Sequence, residues 1–482
     1  MAELQEASPD VAKGNDAANG VGALIARART AQRGFETWTQ TRVDEAVTAA
    51  AWAIMEPGRN RALAEHAVRA TGLGDVADKI AKNHRKTLGL LRDLRGAKSV
   101  GVIAEERERG LIEIARPVGV VAAITPSTNP AATPANNILN ALKGRNAIIV
   151  APSPKGHSTL ALLLTFVHAE LDRIGAPRDL VLQLPAPVTR ENTFALMREV
   201  DLVVATGSQT NVRAAYSSGT PAIGVGAGNV SVIVDETADV ADAAAKIASS
   251  KIFDHATSCS SENSVIAVGG AYDAIVKAFA TRGGVLLAEA EAKKLEATMF
   301  AGGKLASAFI AQSAPAIAAR AGLDRAEVGE AKFLIVAETG VGPAHPFSGE
   351  KLSPVLALYR VDDFAAAAAL AERLLRYQGA GHSIGLQTTD PERALELGLT
   401  LPVCRVIVNQ AHCFATGGSF DNALPFSLSM GCGTWGSNGI SDNLNYRHFL
   451  NITRVVHPLA ADRIHVPTDD EFFAEYRRKY RV

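Results

Sequence analysis

From Leu111 onward the chain alternates short runs of β-formers with helical stretches, which restricts it to an α/β fold with parallel sheets covered by helices. The β runs are Leu111 to Ile114, Gly119 to Ile124, Ala147 to Ala151, Leu180 to Leu184, Leu202 to Ala205 and Val230 to Asp235. Apolar residues at three- and four-residue spacing predict helices over Asn137 to Lys143, His157 to Ile174 and Gln209 to Ser217. Gly175 and Pro177 end the longest of them. A second α/β series runs from about Ala238 to Pro425, through Ala271 to Ala280, Phe333 to Ala337, Phe364 to Leu375, Ser383 to Gln387 and Val403 to Val408. Ahead of both, Val21 to Lys98 reads as a helical preface. At 482 residues the chain exceeds a single core, so two domains with a cleft between them are expected.

A formal net charge of -1 offers no footprint for nucleic acid or an anionic membrane surface, which leaves a small molecule as the expected partner. No apolar run reaches membrane-spanning length and no secretory pattern opens the chain. The four cysteines, Cys259, Cys404, Cys413 and Cys432, show neither metal-ligand spacing nor a dense disulfide framework. A reducing cytoplasm and no bound metal are therefore expected.

Cys259 lies in Phe253-Asp254-His255-Ala256-Thr257-Ser258-Cys259-Ser260-Ser261-Glu262-Asn263, among hydroxyls and small residues. A loop running into a helix N-terminus would both lower its pKa and keep its sulfur reachable, the two requirements of a nucleophile. Taken alone, the same segment also describes a small buried hydrophobe.

Seven segments in order change that balance: Pro117 to Pro126, Asn129-Pro130, Lys143 to Pro152, Ala205 to Ser208, Gly224 to Asn229, Thr257 to Cys259 and Glu350 to Val355. Together they resemble the aldehyde dehydrogenase superfamily, specifically its CoA-acylating branch. The resemblance implies two Rossmann-like α/β domains and a β-rich oligomerisation arm. Residues 1–20 would be a disordered tail. Residues 21–235 would bind nucleotide, with an arm segment near 100–115. Residues 236–430 would carry Cys259, and 431–482 would form a C-terminal arm and tail.

By the same resemblance Cys259 is the catalytic nucleophile, and Asn129 with the Cys259 N–H holds the oxyanion. Asn129 could instead cap a turn before Pro130, with Thr128 as substitute donor. Thr125, Pro126, Gly207, Ser208, Gly226, Gly228 and Glu350 are the expected cofactor contacts. Ser153 and Lys155, in a loop without the acidic residue of many NAD-preferring relatives, favour NADP, with NAD possible. His382 would help deprotonate coenzyme A or serve structurally, and His255 is a weaker second imidazole.

Hydrolytic members carry a water-activating glutamate where Val225 stands here. An aliphatic side chain accepts no proton, so the resemblance implies an acyl-enzyme that waits for coenzyme A. Glu262 is the only nearby carboxylate in sequence that a hydrolytic enzyme could use. An inactive scaffold with a buried Cys259 is a further alternative. Thr128, Ser258, His412 and Arg447, with Arg405 and His448, would meet the substrate, whose implied identity is sulfoacetaldehyde. Succinate semialdehyde, acetaldehyde and propionaldehyde are the alternatives. Val100 to Ala115 and Phe449 to Val456 would pair between subunits of a homodimer or homotetramer.

Overall fold

A computed structural model describes residues 9–482, with side chains from Gly20 onward. Residues 1–8 of the expected tail lie outside the described residues, and from Pro9 the chain is already helical, as far as Phe35. Strands β1 (Gly101–Glu106) and β2 (Leu111–Pro117) form an antiparallel hairpin. The next five, β3 (Val120–Thr125), β4 (Ala147–Pro152), β5 (Val181–Gln183), β6 (Leu202–Ala205) and β7 (Ala222–Gly224), build a parallel sheet in the order β5-β4-β3-β6-β7. Every residue of β3 and β4 is buried, as continuous apolar runs require when helices cover both faces.

Strands β8 (Val230–Val234), β9 (Glu262–Val268), β10 (Gly284–Leu286), β11 (Phe333–Ala337), β12 (Val355–Val361), β13 (Ile384–Gln387) and β14 (Val406–Val408) make the second parallel sheet, ordered β10-β11-β12-β9-β8-β13-β14. The last strand, β15 (Leu450–Val456), returns to pair antiparallel with β2.

This topology moves one expected boundary. β8 pairs with β9 and β13, so it belongs to the second sheet and not to a first domain ending at 235. The chain therefore crosses between sheets at Val225 to Asn229, and that segment lies in the cleft. The carboxyl-terminal section also divides differently. Leu444 and Phe449 are buried in the first domain's core, and only β15 and the exposed residues beyond it form an arm and tail.

The helical preface belongs to that same core, where the helix Gln40–Met55 packs against His157–Arg173, Ala132–Lys143 and Val76–Leu94. Asp75 starts Val76–Leu94 by accepting the Asp78 N–H at 3.0 Å on its side chain. The helix then runs along the cleft with Lys79, Lys82 and Lys86 all buried. Among the described residues no helix is long and apolar enough to cross a membrane.

Candidate active site

A cavity of about 530 Å³ lies between the two sheets. Its first wall is the carboxyl edge of the five-stranded sheet, where β4 and β6 leave on opposite sides of β3 and open a crevice. Pro126 follows β3, Lys155 follows β4, and Gly207 and Ser208 follow β6, and all four line the cavity. Thr125 Oγ1 and Ser153 Oγ, at the same strand ends, are buried with no hydrogen-bond partner among the described residues. Unpartnered hydroxyls at that edge, with the cationic Lys155, suit a ribose and phosphate ligand. Ser208 also caps the helix Gln209–Tyr216, its Oγ accepting the Asn211 N–H at 3.3 Å.

The second wall carries the nucleophile. After the helix Val240–Ile252 ends, Asp254, His255 and Ala256 adopt left-handed conformations with φ of 49°, 50° and 57°. Their reversal delivers Cys259 to the corner of a turn closed by Ser261 N–H donating to Ser258 O at 3.0 Å. The turn leads into β9 and not into a helix, so no helix terminus lowers the Cys259 pKa. Burial pushes the Cys259 thiol up to about 12, and the Glu350 carboxylate adds to the shift.

Cys259 is half-buried and borders the cavity together with Asn129, Thr128 and Ser258. Lys82 Nζ donates to Asn129 Oδ1 at 2.9 Å. Because an ammonium only donates, Oδ1 is the atom facing Lys82, and Nδ2, 3.5 Å from Thr128 Oγ1, is the donor end of the amide. The expected alternative, a turn cap made by the Asn129 side chain, is not formed.

Lys82 is itself fixed by Asp254, which also accepts from Lys79 Nζ at 3.1 Å and from Thr257 Oγ1 at 2.7 Å. These charges hold the Asp254 carboxyl below the usual range against the cost of its burial.

The crossover Val225 to Asn229 packs onto this turn. A Cβ on Gly228 would lie 2.0 Å from Cys259 O, so Gly228 is a packing position and does not line the cavity as expected of a cofactor contact. Gly226 does line it, and Val225 presents its aliphatic side chain there. Glu350, also on the cavity wall, has its carboxyl raised to about 8 by burial. Glu262, the carboxylate considered for water activation, is fully buried outside the cavity, accepting from Ser250 Oγ and the His412 N–H.

The expected residues His382, His412, Arg405 and Arg447 do not line the cavity, and neither do Thr125, Ser153, His255 and His448. His382 is buried, with Nδ1 2.7 Å from Ser383 Oγ, and desolvation lowers its pKa to about 3. His412 packs with Nδ1 2.9 Å from Ser260 O and has its pKa lowered to about 4 by the same cause. Arg405 is spent on Asn443 Oδ1 and the carbonyls of His382, Gly431 and Ser441. Arg447 is exposed beside Tyr446. His382 thus has no access for a proton transfer, and neither His412 nor Arg447 is placed to bind substrate.

Sequence reasoning found Lys155 but missed three further cations that reach the site. Lys86 lines the cavity, and Arg85 and Lys82 line a small annex beside it. The signal was lysine at 79, 82 and 86, a helical stripe of charges where a core-facing stripe is normally apolar.

Residues 8–294 match the model of the aldehyde dehydrogenase family. The sulfoacetaldehyde dehydrogenase (acylating) of Cupriavidus necator is 61% identical over 98% of this chain and 95% of its own length. An acetylating aldehyde dehydrogenase structure from Geobacillus thermoglucosidasius superposes with a TM-score of 0.89 at 34% identity, covering 97% of this chain and 100% of that one. An engineered glycolyl-CoA reductase with bound NADP+ gives a TM-score of 0.81 at 25% identity, over 92% of this chain and 98% of that one. With a cysteine turn facing a crevice at the carboxyl edge of a parallel sheet, and with these similarities spanning nearly its whole length, the chain belongs to the aldehyde dehydrogenase family.

Proposed function

We propose that this protein oxidises an aldehyde through a thioester on Cys259 and transfers the acyl group to coenzyme A, with sulfoacetaldehyde as substrate. The observation that carries the acylating reading is Val225 on the cavity wall, where an aliphatic group cannot activate water. The one carboxyl on that wall among the described residues, Glu350, is predominantly protonated near neutral pH because of its burial. The substrate reading rests on the similarity to the Cupriavidus necator enzyme.

NADP+, when bound, supplies the hydride acceptor and a positive ring charge that favours the thiolate. Cys259 adds its sulfur to the carbonyl carbon, and the oxyanion takes hydrogen bonds from Asn129 Nδ2 and the Cys259 N–H. Collapse of that adduct expels hydride and leaves the acyl group on sulfur. Coenzyme A thiolate then adds to the thioester carbonyl and the Cys259 thiolate leaves, a nearly isoenergetic exchange that needs little base assistance. Lys155 on the cavity wall supports NADP+ over NAD+, since a cation suits a 2'-phosphate, and Ser153 precedes it in the same loop.

The β1-β2-β15 sheet keeps unpaired edges at β1 and β15, which supports a homodimer or homotetramer assembled through that arm. Four free cysteines are compatible with cytoplasmic residence. The test is NADPH formation with and without coenzyme A. A single turnover per Cys259 followed by a stall without coenzyme A is the expected result. Full-rate NADPH formation in its absence would defeat the acylating assignment.

A further inference from the structure

Beside the main cavity opens an annex of about 30 Å³, lined by Lys82, Arg85 and Lys86 together with Phe253, Phe414 and Leu428. The three cations stand at i, i+3 and i+4 on the helix Val76–Leu94, so they present one face to the same space. Asn129, Ser258 and Cys413 border both the annex and the main cavity, which puts the annex a short tether from Cys259.

The donors of the three cations are not equally committed. Lys82 has three N–H donors and three partners: Asn129 Oδ1, Asp254 Oδ2 and Thr257 Oγ1. Lys86 uses one of its three, on Gly417 O at 2.6 Å. Arg85 donates only through one terminal nitrogen, to Phe414 O at 3.1 Å and Ser419 Oγ at 3.0 Å. Neither Arg85 nor Lys86 forms an ion pair with a carboxylate among the described residues. Burial lowers the pKa of the Lys86 ammonium to about 7 and opposes the Arg85 charge as well, so an anion bound beside these spare donors would favour the charged form of both.

We infer that the annex is a subsite for the anionic head of the aldehyde, with Arg85 and Lys86 as its ligands and a sulfonate on a two-carbon aldehyde as the group that fits. A sulfonate carries three acceptor oxygens and no proton to give, matching the spare N–H donors of Arg85 and Lys86. The annex is small and near the thiol, so a single methylene between head and carbonyl suffices, and a longer chain would hold its head elsewhere. Phe253 and Phe414, with ring centroids 4.7 Å apart, shield the pair from water, and Arg85 lies over the Phe414 ring at 5.3 Å. This inference rests on sulfoacetaldehyde being the substrate.

The experiment compares kcat/KM for sulfoacetaldehyde and acetaldehyde, at saturating coenzyme A and NADP+, in the wild type, Arg85→Met and Lys86→Met. The sulfoacetaldehyde-to-acetaldehyde ratio should fall roughly 10- to 100-fold in each variant, as loss of a charge-assisted hydrogen bond predicts. Isethionate, a sulfonate without the aldehyde, should compete with sulfoacetaldehyde in the wild type and slow iodoacetamide labelling of Cys259. Should either variant fail to fold, Arg85→Lys and Lys86→Arg and the isethionate competition carry the test. A wild type that prefers acetaldehyde overturns the substrate reading itself. A wild-type preference for sulfoacetaldehyde that survives both substitutions, or isethionate that does not compete, overturns the subsite alone.

Discussion

Lys82 Nζ sits 2.9 Å from Asn129 Oδ1, and this one hydrogen bond fixes the orientation of the Asn129 amide on the cavity wall it shares with Cys259. Lys82→Met should release the amide to either orientation and lower kcat, with KM for the aldehyde less affected. Asn129→Ala, which deletes the donor outright, should cost roughly 10²- to 10³-fold in kcat. Steady-state kinetics check both, and unchanged kcat in Asn129→Ala would remove Asn129 from the oxyanion site.

Val225→Glu places a second carboxyl group on the cavity wall, where Glu350 is predominantly protonated near neutral pH. NADPH formation without coenzyme A should rise at least roughly tenfold over the wild type, because general-base assistance to water is typically worth 10² to 10⁴. The readout is the ratio of coenzyme A-independent to coenzyme A-dependent rates.

With the Cys259 thiol pushed up to about 12, iodoacetamide should label the free protein slowly at pH 7. The rate should climb about tenfold per pH unit as the thiolate fraction grows. Glu350 titrates at about 8, so its negative charge opposes the thiolate mainly above that pH. Glu350→Gln should therefore speed labelling above pH 8 and change it little below pH 7, as mass spectrometry of the alkylated cysteine would record.

Asp254 carries the buried charge cluster with Lys79 and Lys82. Its folded pKa is depressed, so its stabilising contribution is present above the unfolded value near 4 and is lost as pH falls through the folded value. Asp254→Asn leaves two buried ammonium groups uncompensated and should cost about 3–5 kcal/mol near neutral pH. Urea unfolding should show that gap at pH 7 and a smaller one in acid.

Much of the fold was legible because buried parallel strands are written as uninterrupted apolar runs: Gly119 to Ile124 and Ala147 to Ala151 became β3 and β4 nearly unchanged. The domain boundary was not, because Val230 to Val234 reads like any other buried strand and only pairing with β9 and β13 tells which sheet owns it. Around Cys259 the local motif identified the thiol, yet it suggested a helix in the place that β9 occupies. His412 and Arg447 look like anion ligands in sequence, but one is sealed among Ser260 and Thr416 and the other points to solvent. Lys155 was read correctly as a cation on the cavity wall, but Lys82, Arg85 and Lys86 come from the helical preface, far from Cys259 along the chain. Local spacing could flag their unusual stripe but not what faces it.

Asp254, His255 and Ala256 turn the chain with side chains in place of the glycines that would do so most easily. Each holds a conformation that costs about 1 kcal/mol or more, and each narrows the paths along which the peptide could wander. Sγ of Cys259 is consequently pre-aimed: the ordering of its approach is completed once, when the polypeptide first folds, and need not be repeated for every carbonyl that arrives.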